Sequence, residues 1–164
     1  MELYILRHAI AVDRGTPGYG DDSQRPLTPE GRKKMRCIAK GMNALALKFD
    51  LILSSPYVRA KETAEIAAQV LKAQRKLKFS DDLAVDGDPR VLIKSLERSP
   101  KRVLLVGHEP YLSDLASLLI SGANSANLKL KKGGLCKLSA DRLTFGRCAE
   151  LEWLLTPRQL VRLA

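Results

Sequence analysis

Cysteine is scarce in this sequence, and the few cysteines present form no paired motif. There are three, Cys37, Cys136 and Cys148, and no two of them make a CxxC pair. An odd number without such pairs argues against a disulfide scaffold and against a zinc site, so we expect no bound metal. Because reduced thiols are typical of the cytoplasm, we predict a cytoplasmic protein.

Long apolar segments are also missing. The N-terminal run at residues 3–6 is short, lacks a basic leader and is followed at once by Arg7 and His8. A signal peptide needs a longer apolar stretch, and a membrane-spanning helix needs about 20 apolar residues. We therefore expect neither, and no contact with a membrane.

Aromatic and acidic residues are both few compared with basic ones. Phe, Trp and Tyr make up 5% of the chain, so stacking platforms for bases are rare and nucleic acid is not an expected partner. Lysine and arginine number 28 against 18 aspartates and glutamates, a formal net charge of +10. Such a surface attracts phosphorylated or acidic partners, but charge alone does not choose among anionic partners.

The order of apolar patterns predicts an α/β fold in one domain of residues 1–164. Short apolar runs alternate with helical periodicity, which is typical of a single-domain, three-layer α/β/α arrangement with a mostly parallel central sheet. Helices are expected to begin near Pro29, Pro56, Pro89, Pro110 and Pro157, since proline is favoured in the first turn of a helix. The expected strands are residues 3–6, 51–53, 77–79, 103–106, 134–138 and 149–155, the last two forming a hairpin or antiparallel edge.

The chain has two histidines, and each lies just after a predicted strand. His8 comes after residues 3–6 and His108 after residues 103–106. Ligand sites of open α/β sheets form outside the carboxyl ends of the strands, so both imidazoles are expected at one edge. A single histidine is more often structural, but two at equivalent strand ends indicate a functional site.

Two arginines accompany the histidines. Arg7 precedes His8, and Arg59 is expected one turn into the helix that begins at Pro56. A guanidinium group fits phosphate oxygens in a bidentate way, and the helices beginning near Pro56 and Pro110 are expected to offer free backbone N–H groups. The pattern predicts an anion site; the alternative for Arg59 is an ordinary surface arginine of a basic protein.

Four segments together carry a resemblance to a known family. LRHA at residues 6–9 resembles the RHG/RHA signature of the histidine phosphatase superfamily, also called phosphoglycerate mutase-like. RPLTPEG at 25–31, SPYVRAKETA at 55–64 and VGHEP at 106–110 resemble its further motifs, in the family's order. The short chain has no room for the long capping insertions of larger members. In this it is similar to the SixA type of phosphohistidine phosphatase.

The resemblance implies a role for each matched residue. His8 would be the nucleophile and would form a phosphohistidine intermediate, which water then hydrolyses. Arg7 and Arg59 would hold the phosphoryl oxygens, and His108 would add a third positive donor when phosphate is bound. Phosphoryl transfer needs mainly positioning and charge stabilisation, so no cofactor is expected.

Three further residues have two interpretations each. Ser55 either donates a hydrogen bond to phosphate or caps the helix begun at Pro56. Arg25 either reaches the rim of the pocket or anchors a loop through a salt bridge. Glu109 either serves as an acid or, as we prefer, places a favourable charge at a helix N-terminus. The glycine-rich segment 14–25 is predicted to be a loop that forms a rim or lid.

One departure from the family pattern bears on the substrate. Many members carry a glutamate as general acid where this chain has Val85; Asp82, Asp86, Glu109 or no residue would take its place. Imidazole, with a pKa of roughly 6.5, leaves phosphorus with little help, whereas an alkoxide needs an acid. We therefore predict phosphohistidine on a signalling or phosphotransfer protein domain as substrate. The alternatives are a small phosphorylated molecule, a mutase reaction, or a non-catalytic phosphate- or nucleic-acid-binding module.

Overall fold

A computed structural model describes residues 1–98 and 100–164, which contain a six-stranded sheet and five α-helices. No helix in this described part is both long and apolar enough to cross a membrane. The strands are β1 (Glu2–Arg7), β2 (Leu51–Ser54), β3 (Leu77–Phe79), β4 (Arg102–Gly107), β5 (Leu135–Ser139) and β6 (Glu150–Leu155). The helices are α1 (Pro29–Ala44), α2 (Val58–Val70), α3 (Pro89–Leu96), α4 (Tyr111–Ser121) and α5 (Pro157–Arg162).

The sheet has the strand order β3-β2-β4-β1-β5-β6. The first four of these strands are parallel, while β5 is antiparallel to β1 and β6 is antiparallel to β5. The predicted mostly parallel sheet with an antiparallel edge is thus confirmed. β4 lies in the middle, and its run Val103–Val106 is continuously apolar because helices cover both faces.

Two apolar layers lie on opposite faces of the sheet. Leu104 and Val106 point to the layer that contains α1, α2 and α5. Their neighbours Val103 and Leu105 point to the other layer, which contains α3 and α4. This alternation follows from the period of two along a strand, and it confirms the three-layer α/β/α arrangement.

Most helix starts agree with their sequence signals. The Thr28 hydroxyl accepts a hydrogen bond from the Gly31 N–H (2.9 Å), and Pro29 is the first residue of α1. Thr156 caps α5 in the same way, and Asp88 caps α3. Each cap satisfies a backbone donor that the helix itself leaves unpaired.

The start of α2 differs from the prediction. The helix begins at Val58 and not at Pro56, because Tyr57 adopts φ −58° and ψ 135°, which is outside the helical region. Arg59 is consequently the second residue of α2 instead of lying one turn into it. This places its guanidinium group close to the edge of the sheet.

A close approach of α1 and α5 generates a first prediction. A Cβ atom at Gly41 would collide with the carbonyl oxygen of Leu160. We expect Gly41→Ala to lower the free energy of unfolding by about 1–3 kcal/mol, because the two helices must move apart. A glycine-to-alanine change in a helix without such a contact stabilises by about 1 kcal/mol, so the sign is diagnostic.

Urea denaturation measures this effect. Gly20→Ala is the matched control, since a Cβ there would meet nothing within 4 Å and its backbone does not need a positive φ. Unchanged or increased stability in Gly41→Ala would contradict the packing described.

Candidate active site

Three neighbouring strand ends bring the candidate residues together. His8 follows β1, Ser55 follows β2, and His108 follows β4, which lies between them. The backbone N–H of His8 donates to the carbonyl of Gly107 (3.0 Å), and that of Ser55 donates to Val106 (2.9 Å). The two imidazole ring centres are 5.3 Å apart. The predicted meeting of both histidines at one edge is confirmed.

The surroundings of His8 determine which of its ring nitrogens carries hydrogen. Nδ1 lies 2.7 Å from the carbonyl oxygen of Ala9. A carbonyl oxygen can only accept, so Nδ1 is the protonated nitrogen and Nε2 of the neutral ring has a free lone pair. Thr63 holds this segment against α2, because its hydroxyl accepts from the Ala9 N–H (3.1 Å) and donates to the Arg59 carbonyl (2.6 Å).

His108 is almost fully buried and contacts Ser55. Its Nε2 is 2.8 Å from the Ser55 hydroxyl oxygen, which also accepts a hydrogen bond from the Tyr57 N–H (3.3 Å). Ser55 thus supports the turn before α2, although Tyr57 and not Ser55 occupies the cap position. Within the described residues, Nδ1 of His108 has no hydrogen-bond partner despite its burial.

Burial sets the protonation state of both imidazoles. It lowers the pKa of His8 to about 3, and the charges of Arg59 and Arg7 act in the same direction. Burial also lowers the pKa of His108 to about 3, and the charge of Arg59 is the next largest cause and acts in the same direction. Both rings are therefore neutral at pH 7 in the free protein.

The two arginines next to the histidines have different partners. Arg7 donates from Nη1 to the carbonyl of Leu130 (3.0 Å). Arg59 is 2% exposed, so the interpretation as a surface arginine is wrong. Its Nη1 and Nη2 donate to the carbonyl (2.7 Å) and carboxylate (2.9 Å) of Asp22. The Nε atoms of both arginines are buried without a partner in the part of the chain that the structure describes.

Asp22 is a site residue that the sequence analysis missed. Its carboxylate contacts Arg59 (2.9 Å), Arg25 (2.8 Å) and Arg14 (3.2 Å). Burial opposes its ionisation, but the hydrogen bond from Arg25 and the charge of Arg59 outweigh it and hold the pKa at about 2. Asp22 and Arg25 are three positions apart in the sequence, and this spacing was the only local signal for their salt bridge.

Arg25 anchors the loop through its hydrogen bonds and its salt bridge. It is 8% exposed, donates from Nη1 to the carbonyl of Val12 (2.5 Å), and pairs with Asp22. Of its two interpretations, the geometry agrees with the salt bridge. The 14–25 segment therefore lies on the rim, tied to α2 through Asp22 and Arg59.

Glu109 occupies the N-terminus of α4. Its carboxylate accepts from the N–H (3.1 Å) and from the hydroxyl of Ser113, and burial raises its pKa. The Leu112 N–H donates to the carbonyl of His108 (2.9 Å). We expected this helix end to offer free N–H groups to an anion. That expectation is wrong for the N–H groups of Leu112 and Ser113, because nearby oxygens already accept their hydrogen bonds.

The position of the absent glutamate faces a cavity. Val85 is 39% exposed and shares a cavity of about 400 Å³ with Asp22, Arg25, Arg14 and Tyr19. The carboxylate that lines this cavity is thus supplied by Asp22 of the 14–25 loop. Asp82 instead accepts a hydrogen bond from the Ser80 hydroxyl (3.1 Å). Across residues 1–98 and 100–164, no three His, Cys, Asp or Glu side chains cluster as a ligand set for a metal ion.

Comparisons with known proteins agree with this architecture. The profile of the histidine phosphatase superfamily (branch 1) matches residues 3–84. An uncharacterised protein of Picosynechococcus is 36% identical over 98% of this chain and 99% of its own length. Phosphohistidine phosphatase SixA of Escherichia coli is 27% identical over 74% of this chain and 76% of its own.

The fold comparison points to the same group. The structure of the protein histidine phosphatase SixA with tungstate superposes with a TM-score of 0.84 at 23% identity, covering 98% of this chain and 99% of that one. Because the superfamily profile matches half of the chain and SixA proteins are among its relatives, the chain belongs to the histidine phosphatase superfamily and is a phosphatase. Within that superfamily its fold is similar to that of SixA, which confirms the family expected from the four motifs.

The buried histidines generate a prediction about pH. Each has a folded-state pKa of about 3 against an ordinary value of 6.5, so the unfolded chain binds more protons between those values. Their contribution to stability is complete above pH 6.5 and is lost as the pH falls through this window. Titration by NMR is expected to show both rings neutral at pH 5; midpoints near 6.5 in the free protein would contradict it.

The contact between Asp22 and Arg59 generates a prediction about anion binding. Asp22→Asn removes a negative charge beside the guanidinium group, so inorganic phosphate is expected to bind several-fold more tightly. Calorimetric titration measures the dissociation constant. Asp21→Asn is the control, because Asp21 is exposed and its carboxylate accepts from the Ser23 N–H (2.9 Å). Equal tightening in both variants, or none in either, would show that Asp22 does not compete with the anion.

Proposed function

We propose that this phosphatase removes the phosphoryl group from phosphohistidine on a protein domain, through a covalent intermediate on His8 and without a metal ion. The observation that carries the proposal is the hydrogen bond between Nδ1 of His8 and the Ala9 carbonyl (2.7 Å). It leaves Nε2 of a neutral imidazole free to attack phosphorus. A protonated ring would have no lone pair to offer.

The first step forms one bond and breaks one. Nε2 of His8 bonds to phosphorus while the bond from phosphorus to the substrate imidazole breaks. If the far nitrogen of the leaving ring carries a proton, that ring departs neutral and no further proton is needed. Asp22 is ionised, so its carboxylate favours the protonated form of a substrate ring nearby.

The second step uses the same hydrogen bond. In the intermediate, Nε2 of His8 carries phosphorus and Nδ1 keeps its hydrogen, so the ring is positively charged. The Ala9 carbonyl stabilises that charge. Water attacks phosphorus, inorganic phosphate leaves, and His8 returns to its neutral form. A cationic ring is a good leaving group, so this step also needs no strong acid.

The remaining charges suit a phosphoryl group. Arg7 and Arg59 supply two guanidinium groups, and each has a buried Nε with no partner among the described residues. His108 is neutral in the free protein, but a bound dianion raises the pKa of a neighbouring imidazole. We therefore propose that a proton arrives at His108 together with the phosphate. Ser55 then holds Nε2 and directs the ring.

The choice of phosphohistidine depends on the surroundings of Val85. The carboxylate that shares its cavity belongs to Asp22, whose pKa is about 2, so it offers no proton at pH 7. A phosphate ester would lose its best leaving-group assistance here, whereas a phosphohistidine would lose little. We also infer a cytoplasmic location, since all three cysteines are free thiols.

A second candidate is a phosphomonoesterase that acts on a small phosphorylated molecule. Glu109 favours it, because burial raises the pKa of its carboxyl group and a protonated carboxyl can act as an acid. Its carboxylate is, however, already hydrogen-bonded to Ser113. This candidate predicts that Glu109→Gln slows ester hydrolysis much more than phosphohistidine hydrolysis.

The test of the main proposal combines a substrate comparison with a labelled intermediate. Wild-type protein with a chelator present is expected to hydrolyse a phosphohistidine domain at least about tenfold faster than any phosphomonoester of a panel. His8→Ala is expected to lose the acid-labile, base-stable phosphoenzyme and at least about a thousandfold in kcat. His108→Ala is the matched control, and we expect a slower enzyme that still forms the label.

Each outcome has a distinct meaning. Preference for a phosphomonoester would overturn the substrate, and loss of activity with the chelator would overturn the metal-free step. A labelled intermediate in His8→Ala would overturn the nucleophile.

A further inference from the structure

A turn rich in lysine is attached directly to the backbone of the candidate site. The Gly133 N–H donates to the carbonyls of Arg7 (3.0 Å) and His8 (3.2 Å), and the Arg7 N–H donates to Gly134 (3.2 Å). The side chain of Arg7 also donates to the carbonyl of Leu130 (3.0 Å). The turn around residues 130–134 therefore forms one wall behind Arg7 and His8.

The same turn presents three positive charges to solvent. Lys129, Lys131 and Lys132 are exposed, whereas Leu130 between them and Gly133 after them are buried. In the part of the chain that the structure describes, none of the three lysines lies within an ion pair. Their charges are thus available to a partner, unlike those of most arginines near the pocket.

The basic surface continues onto α1 and α5. A Cβ atom at Gly133 would lie 2.6 Å from Ile38 of α1 and 3.7 Å from Pro157 of α5, so the three segments meet there. Beside this junction α1 and α5 enclose a groove of about 450 Å³. Its charged lining is four cations, Lys33, Lys34, Arg158 and Arg162, and one acid, Glu30.

The opposite rim of the pocket has the opposite charge. The segment that joins β3 to α3 carries four aspartates, Asp81, Asp82, Asp86 and Asp88. It lies against the end of β4, since a Cβ atom at Gly107, the residue before His108, would be 3.3 Å from the carbonyl oxygen of Leu83 in this segment. In the order of the sheet, β3 and β5 lie on opposite sides of the central strands β4 and β1, so this segment and the lysine turn before β5 lie on opposite sides of the site. The mouth is therefore basic on one side and acidic on the other.

We propose that Lys129, Lys131 and Lys132, together with Lys34 and Arg158, form a docking surface for an acidic face of the protein domain that carries the phosphohistidine. This inference rests on the proposed function and names the kind of partner that reaches the site. A domain seated on this surface lies next to the wall behind His8, so a side chain at the edge of its acidic face can enter the pocket.

The polarity of the mouth favours a protein partner over nucleic acid. A nucleic acid is uniformly anionic, so the four aspartates of the opposite rim would repel it. A protein can be acidic on one face and neutral or basic beyond it, which complements both rims. All five residues of the proposed surface are lysines or arginines. They offer positive charge but no aromatic ring on which nucleic-acid bases could stack.

The test reverses the charge of the turn and compares a large with a small substrate. The probes are an acidic helical phosphotransfer domain phosphorylated on histidine, and free phosphohistidine. The variant Lys129→Glu/Lys131→Glu/Lys132→Glu is expected to lose about tenfold or more in kcat/KM on the domain, since steering by opposite charges is lost. Turnover of free phosphohistidine is expected to stay within about twofold, because the three lysine side chains are exposed and, among the described residues, the side chains of Arg7 and His8 have other hydrogen-bond partners.

The control carries the same change of charge at the other end of the molecule. Lys48, Lys72 and Lys101 are exposed and lie near the amino ends of the parallel strands, away from His8 and His108. Lys48→Glu/Lys72→Glu/Lys101→Glu is expected to keep most of the activity on the domain. Added salt is expected to lower the rate on the domain in the wild type and to have a weaker effect in the turn variant.

The remaining outcomes separate failure of the surface from failure of the function. Equal losses in the turn variant and in the control, or no loss in either, would overturn the docking surface while free phosphohistidine is still hydrolysed. Loss of duplex DNA binding in the turn variant, without loss of activity on the domain, would assign the surface to nucleic acid instead. No hydrolysis of either phosphohistidine probe by the wild type would overturn the proposed function itself.

Discussion

The hydrogen bond from the backbone N–H of His8 to the carbonyl of Gly107 joins the ends of β1 and β4, and the candidate site depends on this alignment. It continues the parallel register of the two strands. Because β4 also pairs with β2 on its other side, His108 lies between His8 and Ser55 at one edge of the sheet. A slip of one residue would turn each side chain to the opposite face and separate the two imidazoles.

Burial then determines the chemistry available at that edge. Both imidazoles are neutral in the free protein, while the guanidinium groups of Arg7 and Arg59 stay charged. Desolvating two cations is costly, and main-chain carbonyls together with the carboxylate of Asp22 offset part of that cost. The free site is therefore a positive pocket in which the carboxylate of Asp22 contacts Arg59. An incoming phosphate would have to share the Arg59 guanidinium group with that carboxylate.

The turn at residues 129–134 combines support of the site with a basic outer surface. The backbone of the turn near Gly133 holds Arg7 and His8, and the same turn carries Lys129, Lys131 and Lys132 on its outer side. Gly133 has φ +77°, and a Cβ there would be 2.6 Å from Ile38, so a larger residue would be strained as well as crowded. The support of the site and the proposed docking surface thus meet in this short segment.

Short-range patterns in the sequence determined most of the fold. The apolar runs located all six strands, and caps such as Thr28 and Thr156 located helix starts to within a residue or two. The same patterns brought His8 and His108 to one edge, because parallel strands end on the same side of a sheet. Their catalytic roles, and those of Arg7 and Arg59, stay predictions that follow from the motifs.

Only the tertiary structure decided which polar groups pair around the site. Arg59 and Asp22 are 37 residues apart, and Arg7 and Leu130 are 123 apart. Loops have no periodicity from which such contacts follow, and either of the two aspartates in the 14–25 segment had a charge that suited Arg59. Likewise, nothing local indicated that Ser113 would satisfy Glu109. The sequence alone therefore determined the strands, their polarity and the family, whereas the partner of each buried charge was decided by which loop packs over which helix.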